Sequence, residues 1–152
     1  MAASAILSPD KHAQGLAAYQ HGRFAEALEL IGEAIAESET GERWNDWAVA
    51  QVAVGNLADA EKAFRRALKI EPENLHAAAN LGGLLAAAGR AAEAIPLLKK
   101  SFPALAGEEK NVVAKLLDDC RKRTKLAVRA SLAARARGGV APNRRRAGRN
   151  AP

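Results

Sequence analysis

The sequence predicts an all-α protein built as a short solenoid, with three helix-turn-helix hairpins in a row closed by one C-terminal capping helix. Three observations carry this expectation. The apolar content, 49% of 152 residues, is mostly alanine and leucine, and aromatic residues make up only 4%. That balance favours helix, because alanine loses no side-chain entropy on ordering and leucine little. Gly22, Gly55 and Gly89 recur at steps of 33 and 34 residues, a period that belongs to helical repeats. Other positions keep the same step: Ala27, Ala60 and Ala94; Ile31, Phe64 and Leu98; Gly15, Ala48 and Gly82; and Ala34, Ala67 and Ser101, each followed by a large apolar residue at Ile35, Leu68 and Phe102.

Each glycine is read as the tight turn of a hairpin whose two helices pack antiparallel. Gly15, Ala48 and Gly82 on the first helices, with Ala27, Ala60 and Ala94 on the second, allow close approach, and Ile31, Phe64 and Leu98 fill the remaining space. The first helix is expected over residues 9–21, opened by a Ser8 cap and Pro9 at the first helical position. Helices over 25–38, 42–54, 58–71, 75–88 and 92–102 follow, the fourth stopped by Pro72 and the sixth by Pro103. A seventh is expected over 109–136, with Val112, Val113, Leu116, Leu117, Cys120 and Ala127 forming one apolar stripe. It would cover the bare end of the stack and turn Glu108, Asp118, Asp119, Arg121 and Lys122 outward. After Ala136 the apolar periodicity stops, and residues 137–152, with Gly138-Gly139, Pro142 and Arg144-Arg145-Arg146, are read as a disordered basic tail.

Trp44-x-x-Trp47-Ala48, Ala60-x-x-x-Phe64-x-x-Ala67 and Pro72 make residues 41–74, 34 in all, resemble one complete tetratricopeptide repeat (TPR). Residues 75–108 are similar through Leu81-Gly82, Gly89, Ala94 and Leu98, with Ala106 where the family has its terminal proline. Residues 8–40 resemble a degenerate first unit, one residue short, with Glu39 in the proline's place. The resemblance implies a right-handed TPR solenoid over 8–136 and a function in protein–protein interaction. The Trp44-Asn45-Asp46-Trp47-Ala48 stretch is also similar to bacterial TPR segments that accompany glycosyltransferase or methyltransferase domains. This chain could serve such an enzyme in trans or form the repeat portion of a longer parent.

Charge divides the chain in two. Residues 1–120 carry 12 lysines and arginines against 17 aspartates and glutamates, a net −5, whereas residues 121–152 carry 11 lysines and arginines and no acid. The single cysteine, Cys120, can form no internal disulfide and is expected to pack as a small apolar residue in a reducing cytoplasm. No signal-peptide core and no membrane-spanning stretch are read from the chain. His12, His21 and His76 lie far apart with no partner at ligand spacing, no phosphate-binding glycine loop occurs, and Glu108-Glu109 and Asp118-Asp119 read as solvated pairs. No enzyme chemistry, metal or other cofactor is therefore expected.

In TPR arrays the first helix of each unit lines the concave face. The resemblance thus implies a groove of His12, Leu16, Tyr19 and Gln20, then Asn45, Val49, Val52 and Ala53, then His76, Asn80, Gly83, Ala86 and Ala87. Leu16, Tyr19, Gln20, Asn45, Val49, Val52, Asn80 and Gly83 are the candidate peptide-binding residues; the lesser alternative is that Leu16, Val49 and Val52 only pad the turn between neighbouring units. One TPR subclass clamps the C-terminal carboxylate of chaperones with Lys, Asn and Arg. Its positions fall at His12, Ala13, Asp46, Ala79, Asn80 and Gly83, of which only Asn80 matches, so no chaperone-tail clamp is expected. The alternative partner is a polyanion, nucleic acid or anionic surface, held weakly and without sequence preference by Arg121, Lys122, Arg123, Lys125, Arg144, Arg145, Arg146 and Arg149. With no aromatic residue among them, base stacking is unavailable. A solvated tail, or one folded back on the acidic body, is the plainer reading of the same residues.

Overall fold

The computed structural model describes residues 10–138, which form seven α-helices: α1 (Lys11–Gln20), α2 (Phe24–Glu37), α3 (Gly41–Ala53), α4 (Leu57–Ile70), α5 (Leu75–Ala87), α6 (Ala91–Ser101) and α7 (Gly107–Gly138). A short 3₁₀ turn, Phe102–Ala104, links the last two. The pairs α1–α2, α3–α4 and α5–α6 are antiparallel hairpins, and each hairpin packs on the next through α2–α3, α4–α5 and α6–α7. Contacts between alternate helices run through α1, α3, α5 and α7. Those four helices lie closer together and form the inner wall of the curve.

The three hairpin turns are built alike. Gly22, Gly55 and Gly89 have φ of 73°, 84° and 78°, a left-handed conformation in which a side chain is strained. At each turn the glycine N–H returns to the second-last helical carbonyl (Tyr19, Val52, Ala86), and the next N–H returns to the residue before that (Ala18, Gln51, Leu85), at 2.8–3.1 Å. This doubly bonded C-cap satisfies the helix-end carbonyls. The opposite ends of the first helices carry side-chain caps. Thr40 Oγ1 accepts from Arg43 N at 3.2 Å and Asn74 Oδ1 from Ala77 N at 2.9 Å. In α1 the capping residue is Asp10, whose carboxylate accepts from His12 N at 3.4 Å. Ser8 and Pro9, expected to play that part, lie outside the described residues.

Packing follows the repeat. Ile31, Phe64 and Leu98 are at most 1% exposed. A Cβ built on Gly15 would stand 2.6 Å from Ile31 Cγ1, and one on Gly82 would stand 2.7 Å from Leu98 Cδ2. Both distances are shorter than packed carbons can approach, so a small residue is compulsory there. Pro96 sits inside α6, with its ring exposed. The helix runs through it with the loss of one backbone donor.

The seams between hairpins use polar atoms. Arg43 Nη1 donates to the carbonyls of Ala34 and Ser38, at 2.7 and 2.8 Å, and so closes the C-terminal end of α2. Trp47 Nε1 donates to Leu28 O at 3.2 Å, and Trp44 Nε1 to Glu39 at 2.8 Å. The two rings meet edge-on at 5.9 Å. Glu71, at the end of α4, accepts from Gly41 N at 2.9 Å, joining the end of the second hairpin to its beginning.

α7 departs from expectation at both ends. It begins at Gly107 and reaches Gly138, so residues 137 and 138, expected in the tail, continue the helix; residues 139–152 lie outside the described residues. In the stripe, Val113, Leu117 and Cys120 are buried and Leu116 is half-buried. Val112 is 51% exposed because it points to the inner face of the curve, and Ala127 is exposed because the body ends before it. From Arg121 to Arg135 every side chain except Thr124 and Ala133 is exposed. The second half of α7 therefore stands clear of the packed hairpins.

The outer surface carries linked ion pairs. Glu61 receives Arg65 and Arg90, and Glu93 receives Arg90 and Arg65, so α4 and α6 are tied by two acids and two arginines at 2.7–3.2 Å. These bonds lower the pKa of Glu61, through Arg65 and then Arg90, and that of Glu93, chiefly through Arg90. Glu39 is lowered by Arg66 and by the Trp44 indole. A carboxylate depressed on folding adds stability that is complete above its unfolded pKa, about 4.3, and is lost as pH falls through the folded value. The melting temperature should accordingly fall as pH drops from about 5 to below 4, and more gently in a Glu61→Gln variant. Equal acid slopes in the two proteins would show that this network is idle. Solvent exposure keeps the difference small.

Candidate peptide-binding groove

The inner wall encloses a groove of about 770 Å³. α1 contributes Tyr19, α3 contributes Val49, Val52 and Ala53, and α5 contributes His76, Ala79, Asn80, Gly83 and Ala87. Phe64 closes the floor, and α7 supplies the far wall through Val112, Val113 and Leu116. Its surface is mainly apolar, and Glu108 and Glu109 are its acidic members. The volume and character suit a side-chain cluster on a peptide segment.

Of the eight candidate peptide-binding residues, the fold gathers Tyr19, Val49, Val52, Asn80 and Gly83 in this groove. Leu16, Gln20 and Asn45 are not among its lining. Asn45 is buried, and its Oδ1 accepts from Asn80 Nδ2 at 3.0 Å while its own Nδ2 donates to Asp46 Oδ1 at 3.2 Å. Asp46 Oδ2 in turn lies 2.8 Å from His12 Nε2. A chain of side-chain hydrogen bonds therefore crosses α5, α3 and α1. His12 and Asp46, at two of the positions where a carboxylate clamp would stand, are committed to each other.

Sequence reasoning missed the wall formed by α7. Its signal was present in Val112, Val113 and Leu116, which follow α6 as the first helix of a further unit would. Of the candidate polyanion residues, Arg121, Lys122, Arg123 and Lys125 lie on the exposed half of α7. Lys122 pairs with Asp118 one turn earlier, and that bond raises its pKa. Arg144, Arg145, Arg146 and Arg149 fall outside the described residues. Among the described residues no group of three or more His, Cys, Asp or Glu could hold a metal ion, and no helix is long and apolar enough to cross a membrane.

Three hairpins with glycine turns and an inner groove define the class as a TPR solenoid. Residues 45–107 match the tetratricopeptide repeat family model. No curated protein matches the sequence. Among solved structures, the fold is similar to the TPR2B domain:pHsp70 complex of yeast Sti1, at 15% identity and a TM-score of 0.66, covering 74% of this chain and 94% of that one. It is also similar to the Yersinia enterocolitica type III secretion chaperone SycD in complex with a peptide of the translocator YopD, at 13% identity and a TM-score of 0.68, covering 75% and 92%. The Arabidopsis OM64 TPR domain matches at 21% identity and a TM-score of 0.65, covering 72% and 92%. At these identities the likeness establishes the fold.

Proposed function

We propose that this chain is a protein-interaction adaptor that holds an apolar peptide or helix of a partner in its concave groove and contributes binding without chemistry. The observation that carries the reading is the groove itself, in which Val52 and Val112 remain 40% and 51% exposed on a curved, pre-formed surface. Apolar side chains left accessible in a concave site are what a helix-in-groove partner covers. The similar structures of the Sti1 TPR2B domain in complex with pHsp70 and of SycD in complex with a YopD peptide support the same use of the fold. With His12 and Asp46 paired and Glu108 and Glu109 on the wall, the ligand is an internal segment and not a C-terminal carboxylate. The likeness of Trp44–Ala48 to repeats that accompany glycosyltransferases or methyltransferases makes a cytoplasmic enzyme of that kind one partner to test.

Panning a displayed library of helical peptides against the chain is the direct experiment. Apolar helices should be recovered, and the double substitution Val49→Glu and Val52→Glu should abolish their capture with the melting temperature nearly unchanged. Recovery of no binder, or equal capture by the double variant, would remove the groove as the site.

A further inference from the structure

The exposed half of α7 and the groove are complementary. Residues 121–138 carry seven arginines and lysines and no acid, on a helical segment about 27 Å long at 1.5 Å per residue. Leu126, Val128 and Leu132 on it are 64%, 53% and 59% exposed, a large apolar area for an isolated helix to leave in water. Arg121, Lys125, Val128, Leu132 and Arg135 follow one another at alternating steps of four and three, so they lie along one face with two apolar residues flanked by cations. The groove offers the converse: an apolar floor and wall, with Glu108 and Glu109 as its acidic members. The helix cannot enter its own groove. α7 is continuous from Gly107 to Gly138, and its first half is the groove's far wall, so the second half runs onward along the same axis.

We propose that the exposed half of α7 docks in the groove of a second copy of this chain, Val128 and Leu132 entering beside Val52 and Val112 while its cations face Glu108 and Glu109. The proposal rests on the reading of the groove as a helix-docking site. Reciprocal exchange closes the assembly as a two-fold dimer and sets self-docking in competition with any partner peptide. A polyanion or an anionic membrane could also attract these cations. A polyanion, however, leaves Val128 and Leu132 uncovered, and neither uses the acidic groove.

Sedimentation equilibrium of the whole chain should give a dimer that weakens with salt. Val128→Asp with Leu132→Asp should give monomers, and so should Val52→Glu; mixing these two variants should restore a one-to-one complex, since one intact helix and one intact groove remain. Glu108→Lys with Glu109→Lys should weaken the dimer, whereas Glu73→Lys, outside the groove, should leave it unchanged. A monomeric wild-type chain, or a dimer indifferent to these substitutions, would overturn the proposal. So would a monomer bound through this helix to phosphatidylserine vesicles or to duplex DNA. A monomeric chain that still loses peptide capture on Val49→Glu and Val52→Glu would sink self-docking and leave the adaptor reading standing.

Discussion

Replacing Phe64 by alanine should lower the stability of the fold by about 3–5 kcal/mol, the range for truncating a fully buried aromatic ring. The ring is 1% exposed and belongs to a core cluster that also takes in Ala48 from α3, Leu81 and Leu85 from α5, Leu98 from α6, and Val113 and Leu117 from α7. Four other elements of the stack share that cluster with the ring, and a wall of rigid helices can collapse only partly onto the space. A small domain has about 5–15 kcal/mol in total, so the variant should be marginal at room temperature. Urea unfolding followed by circular dichroism measures the loss directly. A change below about 0.5 kcal/mol would be the size of an ordinary surface substitution and would remove Phe64 from the core.

Two adjacent glycines on α5 should respond with opposite signs. At Gly82 an added Cβ would meet Leu98 Cδ2 at 2.7 Å and Cγ at 2.8 Å, with the Leu98 backbone nitrogen at 3.4 Å. Leu98 is fully buried and has nowhere to withdraw. Gly82→Val should force α5 away from α6 and cost about 1–3 kcal/mol by overpacking. At Gly83 nothing lies within 4 Å of the added carbon. Gly83→Ala should instead raise stability by about 0.5–1 kcal/mol, because glycine in a helix interior is that much poorer than alanine. Chemical denaturation of the two single variants against wild type decides the matter. A Gly82→Val variant as stable as wild type would contradict the antiparallel contact assigned to Gly82, and a destabilised Gly83→Ala variant would contradict the open space at Gly83.

Most of the fold was legible because the repeat encodes it twice, in the turn glycines and in the small residues opposite Ile31 and Leu98. The expected helix limits at 25–38, 42–54 and 58–71 are each displaced by one residue toward the C-terminus from those found. What resisted reading were features that depend on neighbours across a seam. Nothing local to Arg43 shows that its guanidinium closes α2, and nothing local to Glu71 shows that it reaches Gly41. Asn45 has the sequence position of a groove residue, yet Asn80 and Asp46 hold it inside. The expected α7 is too short because the tail is read as starting at residue 137, just ahead of Gly138-Gly139, whereas alanine and arginine are strong helix formers up to Gly138. The groove was half visible: its α3 and α5 walls follow from the period, and its α7 wall required seeing that a cap can also act as the next inner helix.

The hydrogen-bonded chain from Asn80 through Asn45 and Asp46 to His12 bears on the shape of the groove. Alanine-lined helices present smooth flanks, and contact between such flanks tolerates sliding by a fraction of a turn with little change in buried area. Directional bonds do not tolerate it, since an amide displaced along its neighbour loses its partner. The chain acts as a set of pins through α1, α3 and α5 that fixes the pitch from one hairpin to the next. The spacing of Tyr19, Val49 and Asn80 across the inner wall is thereby set by side-chain length, and a ligand meets a surface whose dimensions are already decided.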